Sequence, residues 1–193
     1  ADWAGIRLVR MVSSHKRYAN DSYVPWAARS WWWGEPPLVA LSDGFPILIV
    51  CESSLNELNR RLQQKGKDPI PMTRFRPNLV IRNTKPFDED NWKVIRIVDT
   101  TTTTSITLHV VKGCPRCKQS CTDQLTGEVS DEPLTTLKEF RALGRNQEEV
   151  YFGQNATAVS HYHSSSSSIS VGNVVQVLQR GPPVWDRETV AAE

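Results

Sequence analysis

The longest uninterrupted apolar run is Ile47-Leu48-Ile49-Val50-Cys51, the pattern of a short buried strand. Ser54 and Glu57 follow at the spacing of a capping box. Leu55, Leu58 and Leu62 then recur at helical intervals until Lys65-Gly66 supplies a stop, which predicts a helix packed on the sheet. Leu79-Val80-Ile81 and the segment from Val94 to Val98 read as further strands. Ile106, Leu108 and Val110 alternate with Thr107 and His109, as a half-buried strand does, and Thr100 to Thr104 before them reads as an extended hairpin loop. Pro133 suits the first turn of a second helix with Leu134, Leu137 and Phe140 on its apolar side and Gly144 at its end. A first strand is expected at Ile6 to Met11. A last one is expected within Ile169 to Leu178, behind the linker Ser164 to Ser168. Many short strands with two helices predict a β-rich, barrel-like α+β domain.

Length and composition limit the organisation. The chain has 193 residues, of which 39% are hydrophobic and 23% charged, enough for one well-buried core and too few for two domains. Three units are expected: an irregular Trp-rich segment over 1–37, a domain over 38–180 and a disordered tail over 181–193. Three adjacent tryptophans, Trp31 to Trp33, cannot all face one core. A net charge of +2 by itself argues neither for nor against nucleic acid, which usually leaves a concentrated basic stripe; no nucleic-acid partner is expected, and no run approaches the roughly 18 to 20 apolar residues that cross a bilayer. The first residue is Ala and no signal pattern follows it, so the sequence reads as starting inside a longer protein, beyond any targeting segment.

Candidate chemistry lies in three short segments; phosphate-loop, GxGxxG and HExxH patterns are absent. The first is Cys114-Pro115-Arg116-Cys117, with Cys121 four residues on. A thiolate is both nucleophile and metal ligand, and the cations Arg116 and Lys118 favour it. Crowded cysteines suit a reduced compartment rather than a disulfide scaffold. Three readings stay open for them: a zinc site completed by His161 or His163, a CxxC redox pair, or three free cysteines in a loop. The second segment is Arg74-Phe75-Arg76-Pro77-Asn78. Pro77 biases Arg76 to an extended backbone, and a guanidinium beside the Asn78 amide would make a small anion site; a surface Arg and a turn Asn are the alternative. The third, Ser42-Asp43-Gly44, is either a polar turn or a hydroxyl and carboxylate offered to a heterocycle.

In order, these segments resemble the MOSC domain family (molybdenum cofactor sulfurase C-terminal domain), in particular its amidoxime-reducing members. The resemblance spans roughly residues 38 to 178. It is carried by Leu41-Ser42-Asp43, Phe75-Arg76-Pro77-Asn78, Glu89-Asp90-Asn91-Trp92, Cys114-Pro115-Arg116-Cys117, Thr126-Gly127, Glu132-Pro133-Leu134 and Phe152-Gly153-Gln154. It implies a MOSC-type β-barrel with a few flanking helices and a molybdenum pyranopterin cofactor whose metal is held by Cys117. It also implies cofactor contacts from Arg76, Asn78, Ser42 and Asp43, with Arg116 and Pro115 lining the same pocket. The implied activity is reduction of N-hydroxylated compounds, with cytochrome b5 and its reductase or a ferredoxin domain as electron donor. The implied setting is cytoplasm or mitochondrion. Gly44 and Phe45 stand where the family has small hydroxyl residues, and the family's N-terminal cofactor-binding region has no counterpart here, which predicts weak cofactor retention by this chain alone. Two other functions fit the same resemblance: a sulfurase-type sulfur carrier, whose PLP-dependent domain has no room here, and a degenerate or zinc-stabilised binding module.

Overall fold

Ile47–Cys51 forms strand β1, and its unbroken apolar run has a direct cause: both faces are covered. Leu48 and Val50 point into one core cluster, with Leu55, Leu58, Leu62, Phe75, Leu137, Val150 and Phe152. Ile49 and Cys51 point into another, with Trp92, Ile95, Ile97, Leu108, Val110 and Ala156. The computed structural model describes residues 14–29, 34–39, 42, 44–158 and 168–186. The expected strand at Ile6 to Met11, the Trp31 to Trp33 run, Asp43, His161, His163 and residues 164–167 of the linker lie outside them.

Helix α1 spans Glu52–Gln64, β2 Leu79–Ile81, β3 Trp92–Val98, β4 Ser105–Pro115, α2 Leu134–Arg141, β5 Tyr151–Ala158 and β6 Val174–Arg180. The strands form one mixed sheet in the order β2-β1-β5-β4-β3-β6, curled into a half-barrel, so the fold is the expected β-rich α+β type. Only the β1–β2 pair is parallel; the pairs β1–β5, β5–β4, β4–β3 and β3–β6 are antiparallel. The β3–β4 connection is the expected threonine loop, with the Asp99 N–H donating to the Thr104 carbonyl across its neck.

Several local expectations need correction. Ser54 does not cap α1: the helix leaves β1 directly from Cys51, and the Ser54 hydroxyl is taken by the buried Glu89 carboxyl. The far end behaves as expected, since Gly66 takes a left-handed conformation (φ 68°) and Lys67 N–H closes on the Leu62 carbonyl. Helix α2 ends at Arg141, before Gly144. Gly144 is instead a point of close approach, where a Cβ would stand 2.8 Å from Asp186 and 3.0 Å from the Tyr151 hydroxyl. Residues 181–186, expected to be disordered, dock on the sheet. Gly113 N–H donates to the Val184 carbonyl, and the buried Trp185 ring occupies the space a side chain at Gly113 would fill. An apolar anchor was hidden in a Pro-rich, polar stretch.

Two buried carboxylates pin the sheet to the turn Asp88–Asn91. Asp90 receives both terminal nitrogens of Arg141 (2.7 and 3.0 Å) and the Gln154 amide (2.8 Å). Glu89 accepts from Cys51 N–H at 3.2 Å, and Ser54 Oγ lies 2.8 and 2.9 Å from its two oxygens. No cation is among these Glu89 contacts, and burial, aided by the Asp90 charge, pushes its carboxyl pKa up despite the Ser54 and Cys51 bonds. The folded state therefore keeps a proton that the unfolded chain gives up near the ordinary glutamate pKa of about 4.3. Stability should fall as pH rises from that value to the raised one. Urea titrations of Glu89→Gln against the wild type are expected to show a flatter stability profile above about pH 5; parallel profiles would mean that Glu89 is charged when folded.

Candidate functional site

Strand β4 is the element that delivers the cysteine segment, and it runs further than the alternation of residues 106–110 implies. Irregularities in its pairing with β5, between Val110 and Lys112 and between Gly113 and Pro115, shift the side-chain phase, so Val110 and Val111 are both buried. The strand thus continues to Pro115 and hands the chain to the short 3-10 turn Lys118–Cys121.

Arg116 fixes this segment. Its N–H donates to the Val150 carbonyl at 2.8 Å. Its Nε donates to the Phe152 carbonyl at 2.8 Å, with Nη2 closing on the same oxygen, and Nη1 donates to the Phe75 carbonyl at 3.1 Å. Burial pulls the guanidinium pKa down, opposed by charge at Cys114 and Cys117, which places it within electrostatic reach of both sulfurs. An arginine remains protonated under such a shift. Its donors are thus spent on backbone, and it braces the cysteine loop against β5 and the turn Met72–Phe75. Phe75 and Phe152, whose carbonyls it bridges, stack at 4.0 Å between centroids.

The cysteines separate by environment. Cys117 is exposed, Cys114 is half-buried, and Cys121 and Cys51 are buried; none of the four is in a disulfide. Burial, with the nearby Glu89, pushes the Cys51 thiol far up, making it an inert core residue. No group of three or more His, Cys, Asp or Glu fit to hold a metal occurs among the described residues, and Cys117 opens a 3-10 turn rather than an α-helix. The thioredoxin-type reading finds no support there, and the residues that would complete a zinc site, His161 and His163, lie outside the described ones.

The second segment arrives beside the first. Arg76 is not extended: it is left-handed (φ 54°, ψ 47°), its N–H donating to the Thr73 carbonyl to close the turn Met72–Phe75. That closure sets its backbone in spite of Pro77, and a non-glycine residue held there is strained. Asn78 is clamped onto β1, its Oδ1 accepting from Leu48 N–H at 2.8 Å and its own N–H donating to the Leu48 carbonyl at 3.0 Å. Asn78 thus registers the Arg76 turn on the sheet. An open cleft of roughly 820 Å³ lies between the turns, lined by Met72, Thr73, Arg76, Pro77 and Val80 on one side and Gln119, Thr122 and Gln124 on the other. Gln119 is two residues beyond Cys117. Nearby, Arg82 pairs with Glu52 and Arg74 with Asp123, while Arg76 lines the cleft.

Ser42 has its carbonyl held by Arg17 at 2.6 Å, and its buried hydroxyl has no hydrogen-bond partner. Ser42 is not among the residues that line the cleft. Sequence reasoning missed Gln119, Thr122 and Gln124, which carry no motif signal, and missed the part played by Arg74, although it belongs to the quoted segment.

The family model for the MOSC domain matches residues 37–176. The molybdenum cofactor sulfurase of Aspergillus terreus is 32% identical over 151 residues, 74% of this chain and 17% of that protein. The mitochondrial amidoxime reducing component 2 of Bos taurus is 29% identical over 175 residues, 90% of this chain and 47% of that protein. The mitochondrial amidoxime-reducing component 1 of Mus musculus is 38% identical over 147 residues, 72% of this chain and 38% of that protein. The chain spans less than half the length of each of these relatives.

Proposed function

The chain belongs to the MOSC domain family, and from that premise we propose that it is the cofactor-holding part of a molybdenum-dependent oxidoreductase that reduces N-hydroxylated compounds. The observation that carries the reading is the cleft between the Arg76 turn and the loop of Cys117, two segments tied together by Arg116. The donor set fits a molybdenum pyranopterin. A thiophilic metal needs a thiolate, and Cys117 is the exposed one of the four. The cofactor's phosphate needs a cation, which Arg76 supplies at the cleft wall. Its heterocycle needs hydrogen-bonding groups, which Gln119, Thr122 and Gln124 offer at the cleft wall, while the buried Ser42 hydroxyl, outside that lining, is a further polar atom without a partner. Asp43 and Asn78 would add contacts from the flanking segments, with Pro115 packing at the edge of the same pocket.

The bound group supplies the redox chemistry, in which two electrons and two protons release the substrate's N-hydroxyl oxygen as water. The chain's own part is to bind and orient. Cys117 holds the metal, Arg116 fixes the loop that carries Cys117, and Arg76 neutralises the phosphate. Electrons would come from cytochrome b5 with its reductase, or from a ferredoxin domain. The relatives named mitochondrial favour a mitochondrial setting, and no helix of the described residues is long and apolar enough to cross a membrane.

Expression of the complete protein in cells that make the cofactor, with molybdenum and pterin measured after purification, tests the reading; zinc or no metal would overturn it. Arg76→Ala should lower molybdenum and pterin content together. Its melting temperature should move by no more than about 2 °C, since Ala and Arg are similarly strained in a left-handed turn. A large loss of stability with full cofactor would make Arg76 structural. The 32% identity to the Aspergillus terreus sulfurase favours one second reading, a sulfur-carrying domain. A persulfide on Cys117 without molybdenum would replace the first reading by that one.

A further inference from the structure

We propose that Arg74 is a second anion-binding residue of the cleft, held in reserve by Asp123 and released to the phosphate of an entering ligand. This extends the reading that the cleft takes a phosphate-bearing cofactor and rests on it. Arg74 lies in the turn whose Thr73 and Arg76 line one side of the cleft, and Asp123 lies between Thr122 and Gln124 of the other side. The two meet at 3.0 Å through Nη2 alone, the Arg74 side chain being 11% exposed and that of Asp123 26%.

The remaining nitrogens of Arg74, Nε and Nη1, are buried and have no hydrogen-bond partner. Arginine has no acceptor and never loses its charge, so three of its N–H bonds are directed at nothing. Buried donors left unmatched are uncommon and costly, and each calls for a ligand or a second arrangement that satisfies it. Asp123, by contrast, has other partners. Its Oδ1 accepts from Leu125 N–H at 2.8 Å and Thr126 N–H at 3.1 Å, and its own backbone closes the loop with Glu128 and Gly127. Arg74 can therefore turn away without leaving that carboxylate unsupported. Two guanidinium groups two residues apart, that of Arg76 on the cleft wall and that of Arg74 buried behind the same turn, suit a phosphate dianion, and among the described residues that line the cleft none is a carboxylate.

Inorganic phosphate titrated into the full chain, followed through arginine Nε–H signals by NMR, is the direct test. The Arg74 and Arg76 signals should shift together and saturate. Arg74→Gln should raise the phosphate Kd roughly tenfold. Arg74→Lys should weaken binding in the same direction, since it keeps the charge facing Asp123 but loses the planar fork. Asp123→Asn keeps the Oδ1 acceptor for Leu125 and Thr126 and removes the competing charge, so it should tighten phosphate binding. A purely structural ion pair gives the opposite sign or no change. The proposal is overturned by an absence of saturable shifts, by an unchanged Kd in Arg74→Gln, or by unchanged or weaker binding in Asp123→Asn. Should Arg74→Gln fail to fold, the lysine and Asp123→Asn variants decide. Pterin content separates the sources. If Arg74→Gln lowers it, the phosphate is the cofactor's; if only the titration moves, free phosphate is the ligand. No molybdenum enters the titration, so it can fail while Cys117 still carries the metal, and the converse also holds.

Discussion

Replacing Cys117 by Ser, in the complete protein loaded with cofactor, is expected to abolish reduction of an amidoxime. Changes to groups that merely support a metal ligand already cost about 10- to 100-fold, so loss of the ligand itself should exceed roughly a hundredfold. A hydroxyl is a harder and far less acidic donor than a thiol and does not replace it on a thiophilic metal. The sulfur-to-molybdenum contribution to X-ray absorption should change with it. Cys114→Ser and Cys121→Ser should keep most of the activity. Cys114 packs half-buried against the core, and Cys121 is enclosed beneath its own 3-10 turn. Equal loss in either variant would favour a dithiol or zinc site over single-thiolate ligation.

The largest expected effect on stability lies at Arg141. Its guanidinium binds Asp90 through both terminal nitrogens and donates from Nε to the Tyr151 carbonyl at 2.8 Å. It also lies 4.4 Å from the Phe87 ring and 5.4 Å from that of Trp185. It joins α2, β5, the Asp88–Asn91 turn and the chain after β6. Arg141→Met would keep much of the volume while leaving the Asp90 carboxylate buried, without its cation and with the Gln154 amide still donating to it. Removing one member of a buried pair costs about 3–5 kcal/mol, which in a chain of this size lowers the melting temperature by on the order of 10 °C. Adding Asp90→Leu should recover a good part of that loss, because an apolar pair avoids the desolvation cost. A double variant as unstable as the single one would show that the bonds to Tyr151 and the aromatic rings, rather than the ion pair, hold the junction. Chemical denaturation of the three proteins decides between these.

The sequence was most legible where burial is simple. β1 reads as a buried strand because both its faces are covered, and α1 keeps one apolar stripe against the sheet. Signals failed where tertiary contacts override local rules. The phase shifts in β4 break the two-residue alternation, which hides the half of the strand that leads to Cys117. Ser54 has the spacing of a cap, yet a carboxyl 35 residues away takes its hydroxyl. The candidate site was legible as types and order of residues. Its assembly was not, because the bonds from Arg116 to Phe75 and Phe152 and from Asn78 to Leu48 join segments distant in the chain. Arg116 itself looked like a group that would touch a ligand, and its donors turn out to face backbone carbonyls.

The bond from Gly113 to Val184, with the Trp185 ring seated over the glycine, also bears on the order of events at the ribosome. A chain emerges from its N-terminus at about 5–20 residues per second, and Val184 follows Gly113 by roughly 70 positions, several seconds later at that pace. Through that interval the segment carrying Cys117 has left the exit tunnel while the ring that seals its base has not. During that time the base of the strand that carries the segment lacks its Trp185 cover. If a cofactor is held at Cys117, its lasting retention would then begin only once residues 184 and 185 have emerged and docked on Gly113.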